Sequence, residues 1–185
     1  AMVVASLLYA HTDMGLAGGL IFGTTLIILY LASSVYHGTP YKFTQKKKLF
    51  RLLDHCSIFV LVAGSCTPFV LSLIDDWTEW IFYAVIWLIA FGGISLLCVD
   101  LKKYKSIATF MYVVMGALLI FRIGTFQKII SPMGTALLLA GGVAYLIGLL
   151  FYGLATRHKW MHATFHMLCL VGSIFHCICI GAFVI

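Results

Sequence analysis

The sequence predicts an all-α, polytopic membrane protein: a single domain over residues 1–185 forming a seven-transmembrane helix bundle, with an incomplete first helix. Three observations carry this. Hydrophobic residues make up 63% of the chain and charged residues 10%, whereas soluble domains run near half and a quarter. The apolar residues fall into separate runs close to the roughly 20 helical residues that cross a hydrocarbon core. Finally, the basic residues gather between those runs, and more on one side than the other. The net charge of +6 therefore marks membrane orientation and does not point to nucleic acid.

Taken in order, Ala1 to Ala10 is apolar but short, with no basic flank and no initiator methionine. It reads as the second half of a helix and not as a signal peptide. His11-Thr12-Asp13 is a turn, and Met14 to Tyr36 spans until Gly38-Thr39-Pro40 stops it. Gly15, Gly19 and Gly23 recur every four residues, which favours close approach by a neighbouring helix. Lys42, Lys46, Lys47, Lys48 and Arg51 make a basic loop before a span over Leu52 to Ile74, where Pro68 predicts a kink. Asp75 to Trp80 is an acidic, tryptophan-bearing boundary, followed by a span from Ile81 to Val99. Asp100 with Lys102, Lys103 and Lys105 leads into Ser106 to Phe121; Arg122 and Lys128 follow, then spans over Met133 to Ala155 and Trp160 to Ile185.

The turns after spans two, four and six hold ten basic residues, including Arg157 and Lys159, against Arg122 and Lys128 on the opposite side. The positive-inside rule then predicts a cytoplasmic N-terminus and an external C-terminus, in a multi-pass protein of the cell membrane, for which a bacterial plasma membrane is expected. Cys56, Cys66, Cys98, Cys169, Cys177 and Cys179 all fall within spans without a C-x-x-C pair and read as buried free thiols.

Against this background the polar residues stand out. His162 and His166 are four apart and so project from one helical face, about 6 Å apart along the axis, a spacing that can share a metal ion. Ser33, His37 and Asp54 fall in the same cytoplasmic-side layer on two other spans. Polar side chains at such depth are usually functional. Each also has a structural reading: an edge histidine can sit among headgroups, Asp54 can pair with Arg51 at (i, i+3), and Ser33 can bond back to its own helix. His55 points about 100° away from Asp54. His11 and His158 read as loop, and His176 as a buried hydrogen-bonding residue.

Ser33-x3-His37, Asp54, and His162-x3-His166 continuing through Val171-Gly172-Ser173 to His176 resemble the progestin and adipoQ receptor family. That family's bacterial branch is named hemolysin III, and the wider group includes the alkaline ceramidases. The resemblance covers nearly the whole chain. It implies seven spans, a cytoplasmic N-terminus, and a Zn2+ ion held by His37, His162 and His166 near the cytoplasmic side, with Ser33 and Asp54 beside it. A Glu/Asn/His-containing motif expected before or within the first span is not in view.

Three imidazoles leave tetrahedral zinc one open position, where water can ionise near neutral pH. Asp54 would act as general base and Ser33 as an oxyanion or supporting donor. The leading expectation is thus a zinc-dependent membrane hydrolase using hydroxide on an acyl-lipid amide or ester, with membrane lipids as partners. Two alternatives remain: a zinc-containing receptor or sensor without turnover, and a hemolysin-type lytic protein.

Overall fold

A computed structural model describes residues 2–73, 77–154 and 159–185, with only the backbone of Lys159. The described residues form eight helices and no strand: α1 (Met2–Tyr9), α2 (Asp13–Gly38), α3 (Thr44–Leu71), α4 (Trp77–Val99), α5 (Leu101–Phe121), α6 (Ile123–Phe126), α7 (Pro132–Leu154) and α8 (Lys159–Phe183). Six of them, α2 to α5, α7 and α8, are long and apolar enough to cross a membrane. The chain is therefore a polytopic helical membrane bundle. In lipid every backbone polar group needs an internal partner, which makes helices the natural form for such runs. Hydroxyls inside the helices follow the same demand: Ser6 donates to the Met2 carbonyl (3.0 Å) and Thr67 to that of Ala63 (3.1 Å).

The helix ends have local causes. Thr12 caps α2 by accepting the Gly15 N–H at 3.0 Å, and the Ser131 hydroxyl accepts that of Gly134 at 3.2 Å as Pro132 opens α7. Asp100 alone separates α4 from α5, and its carboxylate accepts the N–H groups of Lys102 (2.9 Å) and Lys103 (3.1 Å). Three helices begin earlier than the apolar runs suggest: α3 at Thr44, α4 at Trp77 and α5 at Leu101. The expected basic loop is consequently corrected, since Lys46, Lys47, Lys48 and Arg51 lie on the opening turns of α3. Lysine and arginine are good helix formers, so the helix runs on past its apolar stretch. The four-residue α6 has no counterpart in the sequence expectations. Asp75, Asp76, Arg157 and His158 lie outside the described residues.

Packing is closest between α2 and α3 and between α7 and α8. The α2 glycines do admit a neighbour. A Cβ on Gly23 would come 2.7 Å from a Val3 methyl and 3.0 Å from its backbone nitrogen, and a Cβ on Gly18 would lie 2.7 Å from the Pro68 Cα. Small residues let membrane helices meet where the hydrophobic effect supplies no driving force. One apolar cluster joins α1, α2, α3, α6 and α8 around Phe22, Phe69 and Phe126, and a second joins α3, α4 and α5 around Phe59, Ile86 and Met115. Between α2, α3, α5, α7 and α8 a cavity of about 530 Å³ remains.

Candidate metal centre

The site starts from two helix ends. At the C-terminus of α2, Thr39 donates to the Val35 carbonyl (2.6 Å) and the Lys47 ammonium donates to the Thr39 carbonyl (2.7 Å). Lys47 also lies over the rings of Tyr36 (5.3 Å) and Tyr41 (4.1 Å). This clamp on the α2–α3 turn fixes the last turn of α2, which carries His37. On α8, His162 and His166 lie one turn apart with their rings edge to face, centroids 4.6 Å apart, and Phe165 packs against Tyr152 of α7 at 5.0 Å.

The three rings converge through one kind of atom. Nε2 of His37 lies 3.3 Å from Nε2 of His162 and 3.2 Å from that of His166, and the two α8 atoms are 3.0 Å apart. A neutral imidazole has one donor and one acceptor nitrogen, so three Nε2 atoms facing one another cannot all be satisfied among themselves. A cation at their centre resolves this. Tetrahedral zinc with Zn–N near 2.0–2.1 Å requires N···N separations of about 3.3–3.4 Å, close to those observed. The group His37, His162 and His166 could thus hold a metal ion. His37 is exposed and the other two are half-buried.

Ser33 and Asp54 line the cavity together with His162 and His166. Asp54 is only 15% exposed, lies 3.6 Å from His55 Nδ1 and is also contacted by the Ser33 side chain. Ser33 therefore reaches across to α3. The (i, i+3) reading of Asp54 is corrected: among the described residues Asp54 lies beside the His55 ring and makes no ion pair with Arg51. Asp54 does not belong to the three-nitrogen group.

His55 turns away from that group, as its position on the helix predicts. Its Nδ1 is 2.9 Å from the Arg51 carbonyl, which can only accept, so Nδ1 carries the proton. Nε2, 3.1 Å from Tyr152, then accepts that hydroxyl in the neutral ring. Tyr112 donates to the His55 carbonyl at 2.8 Å. His176 is buried and bonds the Leu138 carbonyl (3.2 Å), its ring edge-on to Tyr145. Nearby, the Ser173 hydroxyl meets those of Tyr30 (2.7 Å) and Tyr145 (2.9 Å). The tyrosines of both networks have no local sequence signal, since their partners sit on other helices. His11 is exposed in the turn before α2, and its N–H meets the Ile185 carbonyl at 3.1 Å. No cysteine joins the three-nitrogen group, and the six thiols are free, but the expectation that all are buried is corrected: Cys66 and Cys179 are buried, Cys56, Cys169 and Cys177 half-buried and Cys98 exposed.

These features define a helical membrane protein with a metal-competent histidine cluster, two of whose members line a largely apolar cavity. The chain belongs to the Haemolysin-III related family, whose model matches residues 1–177. It is 34% identical over 160 residues to the Hemolysin-3 homolog of Bacillus subtilis (strain 168), covering 85% of this chain and 74% of that protein. It is 33% identical over 165 residues to Hemolysin-3 of Bacillus cereus (89% and 74%). A more distant relative is the human Monocyte to macrophage differentiation factor, 25% identical over 166 residues (84% and 66%). The resemblance drawn from the histidine, serine and aspartate pattern is thereby borne out at the level of the family.

Proposed function

We propose that this protein is a zinc-dependent membrane hydrolase acting on an acyl-lipid amide or ester, with His37, His162 and His166 as metal ligands. The observation that carries the reading is the convergence of three Nε2 atoms, two of them on residues that line a cavity of about 530 Å³. A purely structural metal site is closed by four protein ligands, whereas three leave room for chemistry. When bound, zinc would supply a Lewis acid that polarises a carbonyl and activates water. Asp54 takes the proton of the attacking water as general base and returns it to the leaving group. Ser33 and His55 hold the Asp54 carboxylate in place, and the His55–Tyr152 contact fixes the ring behind it. The apolar walls take the acyl chain and keep bulk water from the reacting bond.

The reading also places the basic ends of α3 and α5 in the cytoplasm, in a seven-span single domain of the cell membrane with an external C-terminus. Arg122 strengthens this assignment, because it is paired with Glu79 and leaves Lys128 as the other basic residue on the opposite side. A cysteine at Lys47 should resist an impermeant reagent added to intact cells, and one at Lys128 should react. The reverse pattern overturns the orientation.

The decisive assay is release of fatty acid from a panel of acyl amides and esters by purified protein, lost on chelation and restored by zinc. Metal binding without turnover of any of them would favour the receptor or sensor reading, in which the ion joins α2 to α8. The lytic activity in the Bacillus cereus relative's name is a third reading, tested by erythrocyte lysis with the purified protein.

A further inference from the structure

Among the described residues, Arg51 on α3 and Lys105 on α5 are the two cationic residues on the cavity wall apart from the histidines, and both are half-buried. Among the described residues neither pairs with a carboxylate. Asp54, the one carboxylate on that wall among the described residues, lies beside Ser33 and His55. The Lys105 ammonium lies 4.5 Å over the Tyr152 ring, and Tyr152 in turn hydrogen-bonds His55. The remaining wall is dominated by residues such as Ile58, Val62, Val113, Leu139 and Leu146. Snorkelling to the headgroup layer accounts for exposed lysines such as Lys102 and Lys103, but not for two cations on facing helices along one cavity. Charges held near hydrocarbon are costly unless an opposite charge or water answers them. Basic pockets between membrane helices are known recognition sites for anionic headgroups.

We propose that Arg51 and Lys105 form a receptor for the oxyanionic headgroup, of phosphate type, of a single-chain amphiphile whose acyl tail occupies the cavity. Arg51 offers a planar fork that matches a phosphate edge, and Lys105 adds a point charge from the other side. The headgroup then shares the cavity with His162, His166, Ser33 and Asp54, which also line it. That brings the acyl linkage next to the proposed reacting groups. The proposal takes its lipid cavity from the hydrolase reading but requires neither turnover nor metal.

The test is equilibrium binding of three probes to the full chain in neutral detergent: oleoyl lysophosphatidate, mono-oleoylglycerol and inorganic phosphate. The wild type should prefer the phosphate lipid over the neutral one by about tenfold or more, the scale of one charge-assisted contact. Arg51→Gln and Lys105→Gln should each remove most of that preference, while Lys102→Gln and Lys103→Gln keep it. Gly142 lines the cavity and a Cβ there meets nothing within 4 Å, so Gly142→Phe should weaken both lipids by obstructing the tail. Equal affinity of the wild type for the two lipids overturns the proposal without reference to any variant. So does an equal loss in the Lys102 and Lys103 variants, which marks lipid bound around the protein, and so does inorganic phosphate that binds as tightly as the lipid. A headgroup preference in protein that hydrolyses nothing would sink the hydrolase reading and leave this receptor standing.

Discussion

Glu79 and Arg122 make an ion pair far from the histidines, and its disruption should be asymmetric. The Glu79 side chain has no exposure and that of Arg122 has 29%. The guanidinium also lies 3.5 Å from the Thr78 hydroxyl and 5.8 Å from the centre of the Phe82 ring. Removing one partner of a buried pair costs about 3–5 kcal/mol, chiefly through the charge left behind. Glu79→Gln leaves an arginine that can still turn to the interface, so its cost should sit near the lower figure. Arg122→Met leaves a carboxylate with no route to water, so its cost should sit near the upper one. Replacing both removes the stranded charge, and the double variant should be more stable than Arg122→Met alone by about 2 kcal/mol or more. Reversible unfolding of the three variants in mixed micelles, followed by tryptophan fluorescence, measures this. An Arg122→Met cost below about 1 kcal/mol, or a double variant equal to the sum of the singles, would refute the reasoning.

Three further outcomes are expected. Gly23→Leu should force α1 away from α2 and destabilise the protein by about 1–3 kcal/mol, while Gly116→Leu should not, because a Cβ on Gly116 meets nothing within 4 Å; thermal unfolding of both in one detergent tests the pair. Tyr152→Phe should leave His55 Nε2 without its donor and cost about 1–3 kcal/mol, with metal content unchanged by elemental analysis. Asp54→Asn should keep the metal and the fold but abolish fatty-acid release, since an amide cannot take up the water's proton; an unaltered rate removes Asp54 from the mechanism, and loss of metal makes it a ligand.

What was legible in the sequence follows from which forces are local. The long apolar runs became helices because hydrocarbon leaves the backbone no other partner, and His162-x3-His166 formed one face because helical geometry requires it. His37 could be assigned to the same layer by its depth at the end of a span. Helix starts were less legible, because Lys46, Lys47, Lys48 and Arg51 look like loop by charge yet continue a helix by propensity. Asp100 could have been recognised as an N-cap, since aspartate before a helix commonly accepts the first free N–H groups. The Glu79–Arg122 pair, the His55–Tyr152 contact and the meeting of Tyr30 and Tyr145 at Ser173 were not legible. Each depends on how separate helices dock, and no short-range spacing records that.

Metal content tests the three-histidine centre most directly. Elemental analysis of purified wild-type protein should find about one zinc per chain. His37→Ala, His162→Ala and His166→Ala should each lose most of it, while His158→Ala and His176→Ala retain it. Wild-type protein that takes up no zinc from excess, or a His166→Ala variant that keeps its zinc while His158→Ala loses it, would contradict the account.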